Sequence, residues 1–444
     1  MTAFHSTWAW LGGDRLVADV TIVERDGVIV DVAAGIEPPH RAVRFDGVTL
    51  PGLVNAHSHV FHRALRHRTH DDGGDFWQWR EEMLAVAGRL DPDTLSELAT
   101  AVFTGMVLTG ITTVGEFHYV HHDVDGTPYG DPNAMGHAIV HAAHRAGIRL
   151  VLLDTCYLRG GFDTPLEGVP RRFGDGDAAR WAERVESLRS FYGDSPMVRI
   201  GAAAHSVRAV PSHDLEVAAG YAAAHGLPFH VHLSEQVAEN EAALAATGRS
   251  PTGLLAEAGA LGPTTSVVHA THLTDADVSV LGDAAVSVVA CPTTEADLGD
   301  GLGPFTELSA AGSTLAVGTD QQAVIDLFVE ARAIEYHDRL RLRRRGVHSP
   351  TSLLEAATVG GARAVGTAQR GLTVGAPADL VVMDTTAPTL AGWSPADGVA
   401  GIVFGGSAYA VTDVVVAGRR IVSSGAHHEI DHVAARIDRA VRAV

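Results

Sequence analysis

The sequence predicts an α/β fold, a (β/α)8 TIM-like barrel with a small β-sandwich subdomain built from both chain ends. Three observations predict it. Eight apolar, strand-like runs alternate with helical patterns through the middle of the 444-residue chain. Short β-branched segments punctuated by turns occupy both ends. Ionisable residues gather at the C-terminal ends of the eight runs, and in such a barrel those ends converge on one mouth.

The first segment, VADVTIVERDGVIVDV followed by AVRFDGVTL, alternates apolar and polar residues as half-buried strands do. Asp26-Gly27 marks a tight hairpin turn within it. A similar texture returns in ADLVVMD and VTDVVVAGRRIVSSG, so residues 1–50 and 367–425 are expected to pair into the sandwich. The barrel is expected over 51–366, with the strand runs VTLPGLVNAHSH, ITTVGEFHYV, IRLVLLDTCYL, MVRIGAAAHS, PFHVHLSE, SVVHATHL, VSVVACP and TLAVGTD. Between them, segments such as ARWAERVESLRSFYG carry apolar residues at three-to-four spacing, the period of a helix. A last helix closes the chain over 426–444. The competing topology is a doubly wound open sheet, but no Gly-rich phosphate fingerprint follows the first strand.

Composition narrows the function. No stretch approaches the roughly 18 apolar residues of a membrane span, and the N-terminus lacks the basic start and apolar run of a secretory signal. Two cysteines, Cys156 and Cys291, make no disulfide framework, so a cytoplasmic protein is expected. The net charge of -20 argues against nucleic acid or an anionic membrane as partner. The chain contains no lysine, and all 33 basic residues are arginine. No residue can therefore form a Schiff base or be carbamylated to bridge two metals.

The polar strand ends carry the chemistry. His57 and His59 lie two apart, so their side chains share one face of a strand and can reach one ion. Imidazole suits zinc, iron or manganese. His232 and Glu235 form H-x-x-E after the fifth run, with His232 the expected ligand and Glu235 a proton shuttle. His230 is the alternative ligand, but His232 lies nearer the strand end. His269 can ligate, exchange protons or donate to developing charge, whereas His272 is expected in an exposed loop. Asp320 can coordinate the ion and take a proton; its competing role is to cap the helix that follows. Together these groups suit metal-assisted hydrolysis, in which a divalent ion lowers the pKa of bound water to about 7. The Gly-rich run at 298–304 lacks the spacing and lysine of a phosphate loop and is expected as a turn at the barrel mouth.

HxH after strand one, His after strands five and six and Asp after strand eight resemble the amidohydrolase superfamily. The flanking RGLTVGAPADLVVMD and VVVAGRRIVSSG match its members as well. Within it, nearly the whole chain resembles the bacterial formimidoylglutamate deiminases. The most specific segments are HSHVFHRAL, FWQWREEM, GEFHYVHHDVDGTPYGDP, HSVRAV, VHLSEQ, VHATH and TTEADLGDG.

The resemblance implies hydrolysis of N-formimidoyl-L-glutamate to N-formyl-L-glutamate and ammonia, a step of histidine degradation. It implies one divalent ion, zinc, held by His57, His59, His232 and Asp320, with Glu235, His269 and Asp320 handling protons. It also implies a homodimer. Arg80 and Arg208 match positions that bind substrate carboxylates, and guanidinium forks suit a dicarboxylate. Tyr119 and His205 match hydrogen-bonding positions. His62 stands where the family usually has Gln and can still donate to a carboxylate. Gln321-Gln322 replaces the usual Ser-His after Asp320. The rival readings are a superfamily deaminase acting on a nucleobase or guanidino compound, and a catalytically inactive barrel serving in assembly.

Overall fold

The structure is a computed structural model that describes residues 1–66, 68, 76–193 and 195–444, except for the side chains of Phe76 and Trp77. Two residues of the FWQWREEM segment thus lie outside the described side chains.

The chain opens with four strands, β1 (Thr2–Ala9), β2 (Val17–Arg25), β3 (Val28–Ala34) and β4 (Val43–Pro51). The β2–β3 hairpin turns at Asp26 and Gly27, with φ of 54° and 79°. Two successive positive φ values are what a type I′ turn demands, and Asp-Gly tolerates them. Eight barrel strands follow: β5 (Leu53–Ser58), β6 (Ile111–His118), β7 (Arg149–Cys156), β8 (Val198–Ala204), β9 (Phe229–Leu233), β10 (Thr265–His269), β11 (Ser287–Ala290) and β12 (Thr314–Val317). The final strands are β13 (Leu380–Met383), β14 (Val411–Val416), β15 (Arg419–Ser423) and β16 (Ala426–His427).

The barrel strands pair in parallel in sequence order from β5 to β12. A parallel bridge between Ser58 and Asp320 then joins the two ends of the sheet. All eight strands fall on the eight predicted runs. They read as nearly unbroken apolar stretches because the interior and the helical layer bury both faces. The terminal strands form a second sheet in the order β16-β15-β14-β13-β4-β1-β2-β3. Its parts enclose their own apolar cluster, where Phe4, Val20 and Ile22 from the first end meet Leu380, Val382 and Val415 from the second.

The segment between β13 and β14 leaves this sheet. Its helix Gly398–Gly405 packs on the barrel helices Leu327–Leu342 and Pro350–Glu355. Arg332 fixes the contact by donating to the Gly406 carbonyl at 2.8 Å. The last helix, Val433–Arg442, lies on helix Pro92–Leu108. Among the described residues, no helix is long and apolar enough to cross a membrane.

One buried ionic network ties the helical layer to the third barrel strand. Arg184, on helix Ala178–Tyr192, grips both Asp154 oxygens at 2.8 Å each, and its Nε donates to Asp175 at 2.8 Å. Trp181 Nε1 adds a bond to Asp154 at 3.1 Å. Burial alone would raise the Asp154 pKa, but the Arg184 charge outweighs it and holds it below the usual carboxylate range. Asp175 is depressed in the same way. Groups with depressed folded pKa values stabilise the fold above the unfolded value of about 3.9, and that contribution fades as pH falls below it. Arg184→Leu strands a buried carboxylate and is expected to cost about 3–5 kcal/mol at pH 7. Urea unfolding at pH 7 and pH 3.5 checks this, because the deficit should shrink at the lower pH.

Candidate active site at the barrel mouth

The seam between β5 and β12 assembles the centre of the site. The His57 carbonyl accepts from the amides of Thr319 and Asp320, at 3.1 and 3.0 Å, and His59 N returns a bond to the Asp320 carbonyl at 3.0 Å. Such an approach needs a residue without a side chain at 318. A Cβ on Gly318 would lie 2.7 Å from His57 Cβ and 2.8 Å from its carbonyl oxygen. Asp320 takes a φ of 40°, a conformation that non-glycine residues rarely adopt and that recurs at functional sites. The following helix is capped by Asp326, so the alternative capping role for Asp320 is not realised.

Four donor atoms converge here. His59 Nδ1 donates to the Phe117 carbonyl at 2.8 Å, and His232 Nδ1 to the His205 carbonyl at 2.9 Å. A carbonyl only accepts, so each ring keeps its proton on Nδ1 and turns a free Nε2 lone pair inward. The inward Nε2 of His232 lies 3.4 Å from that of His59 and 3.1 Å from that of His57. Asp320 Oδ1 lies 3.5 Å from both His57 Nε2 and His59 Nε2. Ligand–zinc distances of about 2.0–2.1 Å in a tetrahedron set ligand–ligand edges near about 3.3 Å. The four donors therefore fit one small divalent ion. Burial lowers the pKa of all three rings, which keeps them neutral and able to ligate. His230 points away, its Nε2 bonded to the Ala364 carbonyl at 2.8 Å, and is a packed core residue.

Proton-carrying groups stand beside this set. His269 Nε2 is 3.7 Å from Glu235 Oε1 and 3.9 Å from Asp320 Oδ2. Its Nδ1 faces Glu295 Oε1 at 3.4 Å, an oxygen that also accepts the Cys291 amide at 2.9 Å. Burial alone would lower the His269 pKa, but Glu235, Glu295 and Asp320 outweigh it and push it up to about 10. Glu235 is raised by burial and by the nearby Asp320 and Glu295 charges.

One cleft gathers the remaining candidates: His59, His62, Arg80, Tyr119, His205, Arg208, His232, Glu235, His269 and Asp320 all line it, together with Trp79, Met83, Tyr157 and Leu298. His57 lies beneath, fully buried. Arg80, on helix Phe76–Ala87, faces the cleft rather than bulk solvent. Arg208 is steered by a bond from its Nη1 to the Gly160 carbonyl at 3.4 Å. His62 Nε2 shares a 2.9 Å hydrogen bond with the Tyr119 hydroxyl, while its Nδ1 is buried without a partner.

Several residues outside the expected ligand and proton-handling set brace the site. Glu116 accepts from Ser58 Oγ at 2.6 Å and from Val60 N at 2.8 Å, bracing the backbone on either side of His59. Gln322 donates to Ser58 Oγ at 2.9 Å and to the Asp320 carbonyl at 2.8 Å. Gln321 accepts from Trp79 Nε1 at 3.0 Å and donates to Asp297 at 2.6 Å, tying the Arg80 helix to the barrel loops. His272 is half-buried rather than exposed. Its Nε2 donates to the Asp300 carbonyl at 2.7 Å and holds the Gly-rich turn over the mouth.

Comparison with known proteins places this arrangement. The sequence matches the amidohydrolase family over residues 48–421. The chain is an amidohydrolase. It is 37% identical over 420 residues to formimidoylglutamate deiminase of Pseudomonas aeruginosa, covering 91% of each chain. It is also 31% identical to 8-oxoguanine deaminase of the same organism, over 81% of each. Among solved structures, an amidohydrolase from Brucella melitensis superposes with a TM-score of 0.92 at 32% identity, covering 100% of this chain and 99% of that one. An adenosine deaminase from Xanthomonas campestris with bound zinc shares the fold at a TM-score of 0.86 and 23% identity, over 100% and 99%. This amidohydrolase is thus a hydrolase acting on C–N bonds, of a metal-dependent family of deaminases.

In this amidohydrolase, Gln322 orients both Ser58 and the Asp320 backbone, so Gln322→Ala should loosen metal retention. Loss of such an outer contact typically costs about 10–100-fold in metal affinity. Competition with a chromophoric chelator measures it, with circular dichroism verifying an intact fold.

Proposed function

We propose that this amidohydrolase hydrolyses N-formimidoyl-L-glutamate to N-formyl-L-glutamate and ammonia, using one zinc ion held by His57, His59, His232 and Asp320. The observation that carries the substrate is the pair Arg80 and Arg208. Both line the cleft that contains Glu235, His269 and Asp320, and among the described residues neither has a carboxylate partner. Two unpaired guanidiniums match two carboxylates.

A divalent ion in this donor set supplies Lewis acidity that makes water nucleophilic near neutral pH. Asp320 takes the proton that the attacking water gives up as its oxygen bonds to the formimidoyl carbon. Glu235 carries that proton to the imino nitrogen, and the second proton of the water, released through Asp320 as the formyl C=O forms, joins the same nitrogen as the C–N bond breaks and ammonia leaves. His269, charged and braced by Glu295, stabilises the negative charge on Asp320 and Glu235 as the proton moves between them. Tyr119, His205 and His62 line the wall and offer hydrogen bonds to the bound carboxylates. The single-ion reading is supported by the absence of lysine and by Asp154, the carboxylate of the third barrel strand, β7, which Arg184 already occupies.

Ammonia release measured across formimidoylglutamate, guanine, 8-oxoguanine, cytosine and N-guanidinoglutamate tests the substrate. Good turnover of a base with none of formimidoylglutamate would overturn this reading in favour of a nucleobase deaminase. Arg80→Gln and Arg208→Gln should each raise KM, lowering kcat/KM by about 10–100-fold, the worth of a charge-assisted bond. Glu235→Gln should lower kcat by about 10²–10⁴-fold while the protein keeps its metal by elemental analysis.

A further inference from the structure

The floor of the barrel, opposite the mouth, carries a second cavity of about 470 Å³. It opens at the N-terminal ends of β8, β9 and β10, where Arg199 and Thr264 meet Arg363, Thr367, Gln369 and Arg370 from the segment between β12 and β13. Among the described residues, three guanidiniums line it and no carboxylate does. In a chain of net charge -20, that local excess is opposite in sign to the whole.

Two of the three arginines are held in place but not neutralised. Arg199 donates to the Gly366 carbonyl and, at 2.9 Å, to the Gly226 carbonyl. Arg363 Nη2 donates to the Ala285 carbonyl at 3.0 Å. Gly226 and Ala285 follow the C-terminal ends of two helices, Ser212–Ala224 and Asp275–Asp283, where a cation is favourable. That capping role explains two of the three side chains. It does not explain Arg370, whose side chain has no partner among the described residues. Nor does it explain Gln369, which is only 6% exposed and whose buried Nε2 has no hydrogen-bond partner among the described residues, although an unpaired buried donor is costly.

We propose that this cavity binds a small multivalent oxyanion, a phosphate-bearing metabolite or a compact polycarboxylate. Arg199, Arg363 and Arg370 supply the charge, and the Gln369 amide and the Thr264 and Thr367 hydroxyls supply directed hydrogen bonds. The size suits a small molecule rather than a polymer, since such pockets run to about 300–1,000 Å³. The Arg199 and Arg363 guanidiniums, already anchored on carbonyls, lose little freedom on binding. The site is independent of the substrate bound at the mouth.

The test titrates inorganic phosphate, and separately citrate, into the metal-loaded full chain at constant ionic strength set with sodium chloride. Thermal unfolding and calorimetry are the readouts. The expected result is a saturable rise in Tm of a few degrees with one of the two anions. Arg363→Gln/Arg370→Gln should weaken that binding at least about tenfold, the loss expected for charge-assisted bonds, with ammonia release in anion-free buffer unchanged. The preferred anion identifies the ligand class. A rise no larger than that with chloride alone overturns the proposal, as does an equal rise in the double variant, which would place the anion on the metal at the mouth. Should the double variant fold poorly, Arg370→Gln alone gives the same reading, because that side chain holds nothing else.

Discussion

The structure turns on the seam where the last barrel strand meets the first. Closing a parallel barrel requires β12 to return to β5 across a sequence separation of more than 250 residues, a costly long-range contact. The closure is made where the donors sit. Thr319 and Asp320 bond to the His57 carbonyl, and Asn55 braces the same turn through Thr319 Oγ1 at 2.7 Å and Thr319 N at 3.0 Å. Gly318 permits the approach, and the positive φ of Asp320 brings its carboxylate back over the imidazoles. Barrel closure and assembly of the donor set are therefore one event. A change that opens the seam removes both, and the strain at Asp320 persists because the surrounding bonds over-determine it.

From this centre the charge of the cleft is graded. Its depth is rich in carboxylates, with Glu235, Glu295, Asp300 and Asp320 close around His269. Burial and the neighbouring Glu235 charge push the Asp300 pKa up to about 9, so these groups repel one another and favour cations or protons among them. The outer wall instead presents Arg80 and Arg208. A substrate with a cationic amidine at one end and two carboxylates at the other meets opposite charge along its whole length. A neutral purine would use the depth and leave both guanidiniums desolvated and unmatched, which is the penalty that separates the proposed substrate from its rivals.

The fold and the inner site were legible because both rest on periodic signals. Eight apolar runs gave eight strands. The two-residue spacing of His57 and His59 placed both rings on one face, and His232 proved nearer the donor set than His230 because it stands closer to the strand end. Residues that brace the site were not legible. Glu295 comes from the first turn of helix Pro292–Leu298, and Asp300 from the turn after it, where no period marks a side chain as inward. Glu116 sits within β6 and looks like one more strand residue until Ser58 and Val60 are seen beside it. His272 is half-buried where a loop histidine is expected to be exposed, because nothing in the sequence marks the carbonyl that it holds.

The departures from the family pattern are explained by these same contacts. Gln321 and Gln322 are amides, able to donate and accept at once, and each does both. Gln322 accepts from Thr319 Oγ1 at 2.7 Å while donating to Ser58 and to the Asp320 backbone, so one side chain spans the seam from both strands. Gln321 performs the matching task outward, linking the Arg80 helix to the loop at Asp297. His62 differs in kind. Its Nε2 is engaged with Tyr119, and burial lowers its pKa to about 4. In the proposed reading it faces the substrate as a neutral ring, and its Nδ1 can donate a hydrogen bond but not a charge. In the proposed reading, charge recognition then falls to Arg80 and Arg208 on the outer wall.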